Sequence, residues 1–337
     1  MSIKVVMTAR VLSKREIEAY RNELGVEFGT IPCKTEDELI EATRDADAII
    51  TLMQPFSRRV IEKLDKCRLI FNAGTGFDTI NIDAATQHGI CISYPGDYCM
   101  EEVSDHAMAL LMASARKITR LDRAVRENKW NSFEKREFRN VILPQTFPIR
   151  GSTLGLIGLG RIGKLVAVKA MGYGLKVLAH DPGITEEVFK EMGVECCELA
   201  AMLPRCDFVS IQASFNPASK KLIGMEQFRA MKDTAYLINV GRGDFIDQDA
   251  LCRALAEQEI AGAALDVVAE EPAGIGADHP LLQFDNVIIT AHSAYYSEES
   301  SRRYKQRIYD AVTSIAHNSW PEWIINPDFK AHRLAGE

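Results

Sequence analysis

The sequence lacks the features that mark several specialised classes of protein. None of its apolar runs approaches the roughly 20 residues of a membrane-spanning helix. The first residues, MSIKVVMTAR, contain no signal-peptide core, so we expect a cytoplasmic protein. Lys and Arg number 40 against 47 Asp and Glu, which leaves a formal net charge of −7. This shortage of basic residues argues against a nucleic-acid-binding surface.

The cysteines also lack a functional spacing. Eight are present, including the adjacent pair Cys196 and Cys197, but no CxxC motif occurs. A zinc site or a redox dithiol is therefore not indicated, and we expect no bound metal. Reduced thiols in a cytosolic protein agree best with this pattern.

What the sequence does contain is an alternation of short apolar strands and amphipathic helices. A length of 337 residues, 47% of them hydrophobic, suggests about two globular domains. In the first hundred residues the predicted strands are IKVVMTA, DAIITLM, RLIFNAG and GICISYP, and the predicted helices are KREIEAYRNEL, TEDELIEAT and RRVIEKLDK. This alternation is typical of a parallel sheet covered by helices on both faces.

Two long helical patterns and a second alternating series follow. One helix is predicted over about residues 101–127, and a polar loop with aromatic residues over 128–151. A further helix is predicted over about 297–318, before an extended tail. The strands of the second series are TLGLIG, LKVLAH, DFVSIQA, AYLINVG, IAGAALDV and NVIITAH, which suffice for another doubly wound sheet.

A glycine-spaced turn opens the second series, between an apolar strand and an apolar-periodic helix. Gly158 would allow the tight turn, Gly160 would admit a pyrophosphate close to the backbone, and Gly163 would let helix and strand pack closely. Phosphates would bind at the free N–H groups of the helix N-terminus. Arg161 and Ile162, which lie between these glycines, are therefore also expected to contact the cofactor.

Asp181 ends the next predicted strand, about 18 residues after Gly163. A dinucleotide-binding fold places an acidic residue near this position to bind the ribose hydroxyls, and its charge repels a 2′-phosphate. The position favours NAD over NADP. The alternative is that Asp181 and Pro182 merely begin a turn.

Two further polar loops follow predicted strands, where open α/β sheets bind their ligands. Gly74, Thr75 and Gly76 could form a nest of N–H groups for a substrate carboxylate, or simply a glycine-bearing turn. Arg242, between two glycines, could clamp a carboxylate with two hydrogen bonds, or be a solvated loop arginine.

Glu271 and His292 each follow a strand and complete the set of candidate catalytic residues. A carboxylate beside an imidazole favours the protonated ring and fixes its tautomer, which suits proton exchange with a hydroxyl or carbonyl group. Alone, His292 reads as an ordinary surface histidine. The sequence predicts no comparable partner for His106, His180 or His279.

Taken together, these motifs resemble the D-isomer-specific 2-hydroxyacid dehydrogenase family. The resemblance covers nearly the whole chain, through NAGTGFDTINID, YCMEEVSDHAMALL, LGLIGLGRIG, LINVGRGDFIDQDAL, LDVVAEEP and ITAHSA. It implies an NAD-dependent oxidoreductase that interconverts a small D-2-hydroxy acid and its 2-keto acid by hydride transfer.

The resemblance also implies residue roles. The family's catalytic arginine, glutamate and histidine correspond to Arg242, Glu271 and His292, and its aspartate beside the nicotinamide corresponds to Asp266. Its substrate-carboxylate loop corresponds to Thr75 and Gly76. Further cofactor contacts are expected at Asn239, Val240 and Gly241.

The implied fold is α/β, with two doubly wound parallel-sheet domains and a cleft between them. Residues 1–101 plus 297–337 would form a flavodoxin-like substrate domain, and residues 102–296 a Rossmann NAD domain. A homodimer through the NAD domains is also implied. Departures from the family pattern occur at Gln212, Ser214 and Ala291, and in the loop FRNVILPQTFP.

The resemblance leaves two questions open. The segments YCMEEVSDHA and AHSAYYSEES are also similar to the C-terminal-binding proteins, corepressors with this fold, so an NAD-sensing interaction module is the alternative function. The motifs do not separate glycerate, glyoxylate, lactate and 3-phosphoglycerate as substrate types. Arg58 and Arg59 are the candidate cations for a phosphorylated substrate.

Overall fold

The computed structural model describes residues 2–127, 129–130, 140–271 and 273–333. The chain forms two compact units. Unit 1 consists of Met1–Tyr98 and Ser297–Glu337, and unit 2 of Cys99–Tyr296. The first junction thus lies at Tyr98, three residues before the expected boundary at residue 101. Residues 128 and 131–139 of the predicted polar loop lie outside the described residues, including part of the unusual FRNVILPQTFP segment.

The sheet of unit 1 contains five parallel strands in the order β2-β1-β3-β4-β5. Their bounds are β1 Lys4–Met7, β2 Glu27–Thr30, β3 Ala48–Thr51, β4 Leu69–Asn72 and β5 Cys91–Ser93. This is the flavodoxin-like order. The sequence did not predict β2, whose EFGT segment is short and exposes part of one face.

Both faces of this sheet are buried, because successive residues of a strand point to opposite sides. Val5, Ile50 and Phe71 pack into the cluster on one face, which also receives the long C-terminal helix. Val6 and Ile49 pack into the cluster on the other face. This two-sided burial explains why the strands read as continuous apolar runs.

The sheet of unit 2 contains seven parallel strands in the order β12-β11-β10-β9-β6-β7-β8. Their bounds are β6 Thr153–Ile157, β7 Lys176–His180, β8 Glu195–Cys196, β9 Phe208–Ile211, β10 Tyr236–Asn239, β11 Gly262–Leu265 and β12 Val287–Ile289. This is the Rossmann order with a seventh strand added at one edge. The strand order reverses at β6, and such a switch point binds ligands at the carboxyl ends of the strands.

The helices of the described residues are α1 Lys14–Leu24, α2 Glu36–Thr43, α3 Arg58–Ile61, α4 Ile82–Gln87, α5 Met100–Ala115, α6 Ile118–Arg126, α7 Arg161–Gly172, α8 Glu186–Met192, α9 Leu199–Met202, α10 Met225–Ala230, α11 Gln248–Ala256, α12 Glu298–Ala316 and α13 Phe329–Arg333. Local sequence signals set several of these ends. Helix α1, for example, begins at a capping box formed by Ser13 and Glu16.

The single helix predicted over residues 101–127 is wrong, because the chain forms α5 and α6 instead. Lys117, between them, has a left-handed backbone with φ +54°. One such residue interrupts the run of α-helical dihedrals and redirects the chain. The Lys117 side chain is buried, and its ammonium group donates a hydrogen bond to the carbonyl oxygen of Pro144. Apolar periodicity continues across this break, so the pattern did not reveal it.

The C-terminal tail pairs with the edge strand β5 of unit 1. The amide of Ile325 donates to the carbonyl of Ile92 at 2.8 Å. The Asn326 side chain accepts from the Ile92 amide at 2.7 Å and donates to the Ile90 carbonyl at 2.9 Å. The tail therefore covers an edge that would otherwise expose unpaired backbone groups.

Candidate active site

The glycine turn between β6 and α7 has the shape that a pyrophosphate needs. Gly158 has φ +98°, and a Cβ built there would lie 2.6 Å from the backbone nitrogen of Ala213. A Cβ at Gly163 would lie 2.3 Å from the carbonyl oxygen of Gly158. At Gly160, by contrast, an added Cβ would meet no atom within 4 Å. The backbone is thus open to a ligand at the N-terminus of α7, where helix N–H groups favour an anion.

Asp181 lies beside this turn, just past β7. Its carboxylate accepts from the amide of Leu159 at 2.7 Å and from the amide of Gly183 at 2.9 Å. Each bond uses a different oxygen, and a carboxylate oxygen accepts two hydrogen bonds. The remaining capacity suits the two ribose hydroxyls of NAD. The glycine turn and Asp181 therefore fit this cofactor together.

The loop that carries Arg242 is held by Asn239, the last residue of β10. The Asn239 side chain is fully buried, accepts from the Gly241 amide at 3.0 Å and donates to the Arg242 carbonyl at 2.8 Å. Val240 is also buried. The Asn239 side chain thus fixes the conformation of the Arg242 loop by these two hydrogen bonds. Cofactor contacts at residues 239–241 stay a prediction.

The Arg242 loop packs directly on the chain segment that leads to Glu271. A Cβ at Gly243 would lie 2.0 Å from the carbonyl carbon of Val268, so only glycine allows this approach. Strands β10, β11 and β12 are parallel neighbours, and their carboxyl ends form one edge of the sheet. Arg242, Glu271 and His292 all follow that edge.

Glu271 and His292 form the pair that the sequence predicts. Glu271 Oε2 lies 2.7 Å from His292 Nδ1. The side chains are 21% and 41% exposed, respectively. Because a carboxylate only accepts, we assign the proton between them to Nδ1. His292 Nε2 is then the ring nitrogen left for exchange with a substrate.

Asp266 follows β11 at the same edge and is 1% exposed. Its Oδ1 accepts from the Thr290 hydroxyl at 2.5 Å and from the Ser293 amide at 2.9 Å, while Oδ2 accepts from the Ala294 amide at 2.9 Å. A contact with the nicotinamide side of NAD stays a prediction for this residue.

The prediction that His106 and His279 lack polar partners is wrong. His106 Nε2 lies 3.0 Å from the Thr290 hydroxyl oxygen, and His279 Nε2 lies 3.2 Å from Glu270 Oε1. Thr290 is far along the chain from His106, and the contact of His279 with Glu270 depends on the fold of the loop between them, so the sequence could not reveal either contact. His180 Nδ1 lies 3.2 Å from the carbonyl oxygen of Cys197.

In unit 1, Asn72 shapes the loop that contains Gly74, Thr75 and Gly76. Its side-chain amide is 1% exposed and donates to the carbonyls of Gly74 and Gly76, at 2.9 and 2.8 Å. Thr75 is exposed between them. The sequence analysis missed Asn72 and named Asn239 only as a cofactor contact, yet the two asparagines share a signal. Each asparagine ends a buried apolar strand directly before a glycine-bearing loop.

Within the described residues, no helix combines the length and apolar character needed to cross a membrane. The same part of the chain holds no group of three or more His, Cys, Asp or Glu side chains arranged to bind a metal ion.

The sequence was then compared with known protein families. Residues 108–294 match the family model described as "D-isomer specific 2-hydroxyacid dehydrogenase, NAD binding domain". The chain belongs to this family. The match confirms the resemblance drawn from the motifs, the predicted cofactor NAD and the class of reaction, an oxidoreductase acting on 2-hydroxy acids. It contains the glycine turn, Asp181 and all three candidate catalytic residues.

Relatives of the dehydrogenase agree with this assignment. Glyoxylate reductase from Korarchaeum cryptofilum is 36% identical over 299 residues, which are 88% of each chain. D-3-phosphoglycerate dehydrogenase from Methanocaldococcus jannaschii is 35% identical over 303 residues, 89% of this chain but 56% of that protein. D-mandelate dehydrogenase from Rhodotorula graminis superposes with a TM-score of 0.82, at 25% identity, over 96% of this chain and 98% of its own. The predicted α/β class with two parallel-sheet domains is confirmed.

Proposed function

We propose that the dehydrogenase reduces a small, unphosphorylated 2-keto acid to its D-2-hydroxy acid with NADH. His292 would exchange the proton, Glu271 would orient His292, and Arg242 would bind the substrate carboxylate. The observation that carries the proposal is the 2.7 Å contact of Glu271 with His292, at the sheet edge where the Arg242 loop also lies. Gly74, Thr75 and Gly76 are proposed as a second carboxylate contact.

The geometry of the pair supports proton transfer through one ring nitrogen of His292, Nε2. Glu271 accepts the Nδ1 proton of His292, so Nε2 faces the substrate with or without a proton according to the direction of reaction. In reduction, protonated Nε2 donates to the ketone oxygen, and Glu271 stabilises the positive ring. In oxidation, neutral Nε2 accepts the hydroxyl proton. NADH, when bound, supplies the hydride for the substrate's C2 atom.

Arg242 is suited to the carboxylate by its guanidinium fork and by the rigidity of its loop. Two parallel hydrogen bonds from one guanidinium fix both the position and the plane of a carboxylate. Asn239 and the tight contact at Gly243 hold the Arg242 backbone in place. Such fixed positioning of the substrate contributes to rate by reducing the entropy lost on reaching the transition state.

Two observations favour an unphosphorylated substrate. The first relative described above is a glyoxylate reductase that aligns over 88% of its length. The candidate phosphate-binding arginines are also already engaged on unit 1. Arg59 pairs with Glu36 at 3.2 Å and with Asp37, and Arg58 lies 3.0 Å from Gln87 and 3.6 Å from Glu62. We therefore expect these two arginines to act as surface ion-pair residues.

The direct test is NADH oxidation with glyoxylate, pyruvate, hydroxypyruvate and phosphohydroxypyruvate. We expect the highest kcat/KM with one of the unphosphorylated acids, and NADH to bind at least about tenfold tighter than NADPH because of Asp181. Turnover of phosphohydroxypyruvate above the others would contradict the substrate class. No turnover of any acid, with intact NADH binding, would favour the interaction-module alternative.

Substitution of Arg242 tests its role. Arg242→Ala is expected to abolish most keto-acid turnover with NADH affinity nearly unchanged, and Arg242→Lys to restore only part, because an ammonium group lacks the planar fork. Wild-type kcat/KM in Arg242→Ala would rule out the carboxylate clamp.

We further propose a cytoplasmic homodimer formed through the NAD domains. Several large apolar side chains are exposed along one segment of unit 2, namely Ile118, Val125, Trp130, Val141 and Phe147. Burial of such residues is what a subunit interface provides. All eight cysteines are free, which suits a reducing compartment. Light scattering coupled to size exclusion tests the dimer, and a monomer at micromolar concentration would contradict it.

A further inference from the structure

Asp266 accepts hydrogen bonds from the turn that carries His292. Its backbone carbonyl accepts from the His292 amide at 2.8 Å, and its side chain accepts from the Ser293 and Ala294 amides at 2.9 Å each. Three consecutive amide groups therefore donate to one residue of β11's carboxyl end.

These hydrogen bonds are important because His292 has an uncommon backbone conformation. Its φ is +48°, in the left-handed region that side chains other than glycine adopt rarely. Such a conformation persists only when the surroundings hold it, and it recurs at active sites. The amides of His292, Ser293 and Ala294 all donate to Asp266, and these hydrogen bonds hold the conformation. The position of the imidazole thus depends on the position of the Asp266 carboxylate.

The Asp266 carboxylate is in turn aligned by Thr290 and His106. Thr290 Oγ1 lies 2.5 Å from Asp266 Oδ1 and must donate to it, because a carboxylate only accepts. A hydroxyl has one proton, so Thr290 Oγ1 accepts from His106 Nε2, which lies 3.0 Å away. His106 Nε2 is also 3.5 Å from Asp266 Oδ1. The hydrogen bonds therefore run in one direction, from His106 through Thr290 to Asp266.

We propose that His106 and Thr290 are positioning residues for proton transfer. They align the Asp266 carboxylate and, through the turn at residues 292–294, the imidazole of His292. His106 lies on α5, far along the chain from the other two, so α5 takes part in the site through the His106 side chain. The inference rests on the proposed role of His292.

Two pairs of variants test the chain of hydrogen bonds. Thr290→Val removes the hydroxyl at nearly constant shape, and Thr290→Ser keeps it. His106→Leu removes the ring nitrogen, and His106→Gln places an amide N–H near the position of Nε2. We expect kcat to fall about tenfold or more in Thr290→Val and His106→Leu, since small misplacements of reacting groups have large effects on rate. Thr290→Ser and His106→Gln are expected to restore most of the loss.

Isotope effects separate positioning from a general loss of stability. With His292 misplaced, proton transfer becomes slower relative to hydride transfer. The solvent deuterium isotope effect on kcat should therefore rise in Thr290→Val, and the effect of deuterated NADH should fall. Because His106 acts through Thr290, the double variant with His106→Leu should lose little more activity than Thr290→Val alone.

The outcomes distinguish this inference from the proposed function. If the parent reduces no keto acid, or if His292→Ala is fully active, the proposed function fails. If the parent is active and His292→Ala is not, while Thr290→Val and His106→Leu keep kcat within twofold, the positioning role is overturned. Equal losses in Thr290→Val and Thr290→Ser would also overturn it. If Thr290→Val does not fold, the comparison of His106→Leu with His106→Gln decides.

Discussion

Two glutamates that are neighbours in the chain each contact a histidine, in very different surroundings. Glu271 lies 2.7 Å from His292, whose side chain is 41% exposed. Glu270 lies 3.2 Å from His279, whose side chain is 8% exposed. Gln248 adds a second donor to Glu270, at 2.5 Å. The two pairs thus differ in the exposure of the histidine, whereas the glutamates are exposed to 21% (Glu271) and 37% (Glu270).

Hydrogen-bond directions explain the pair of Glu270 and His279. The Leu281 amide lies 3.4 Å from His279 Nδ1, which accepts, so Nε2 carries the proton and donates to Glu270. Burial raises the pKa of Glu270. The hydrogen bonds from Gln248 and His279 lower that pKa by more, so the net shift is downward. Both ring nitrogens of His279 are thus used in hydrogen bonds within the protein. A carboxylate beside a histidine therefore indicates catalysis only where one ring nitrogen stays accessible.

The largest expected difference between the pairs is in the histidines. His292→Ala should reduce kcat/KM for the keto acid by about 10²–10⁴-fold, the usual contribution of a general acid or base. His279→Ala should lower the melting temperature but keep kcat/KM within a few-fold. Steady-state kinetics and thermal unfolding of both variants check this. A similar loss of activity in both would show that the two pairs do not have separate roles.

A smaller difference is expected in acid stability. The lowered pKa of Glu270 means that its stabilisation is present above its ordinary pKa of 4.5 and is lost as pH falls through the lower, folded-state value. The melting temperature of Glu270→Gln should therefore lie below that of the parent at neutral pH and approach it below pH 4.5. A melting-temperature difference that is the same at pH 7 and pH 4 would contradict this account of Glu270.

Much of the fold and site could be predicted because the signals are local. The glycine turn and Asp181 lie within one strand–helix–strand unit, where spacing determines geometry. Arg242, Glu271 and His292 follow predicted strands, and parallel strands end at a common edge. Helix α1 was predicted with its observed bounds, Lys14–Leu24.

What could not be predicted depends on contacts between distant parts of the chain. The contact of His106 with Thr290 requires knowing that α5 packs against β10 and β11. The contact of His279 with Glu270 requires the fold of the intervening loop. The break between α5 and α6 at Lys117 leaves the apolar periodicity intact. It is accompanied by a hydrogen bond from the Lys117 ammonium group to the carbonyl of Pro144, which is distant in the sequence. Local sequence patterns predict a helix or strand but not which other elements pack against it.

The most direct test of the central claim is kcat/KM for keto-acid reduction in the parent, Glu271→Gln and Glu270→Gln. Glu271→Gln removes the charge that stabilises the His292 imidazolium but keeps the size of the side chain. Deuterated NADH, run in parallel, verifies that the chemical step limits the rate. We predict that kcat/KM falls about tenfold or more in Glu271→Gln, because the 2.7 Å contact that orients and stabilises the protonated ring is lost, while Glu270→Gln stays within about twofold of the parent. A kcat/KM of Glu271→Gln within about twofold of the parent, with the isotope effect present, would contradict the assignment of Glu271 and His292 as the proton-transfer pair.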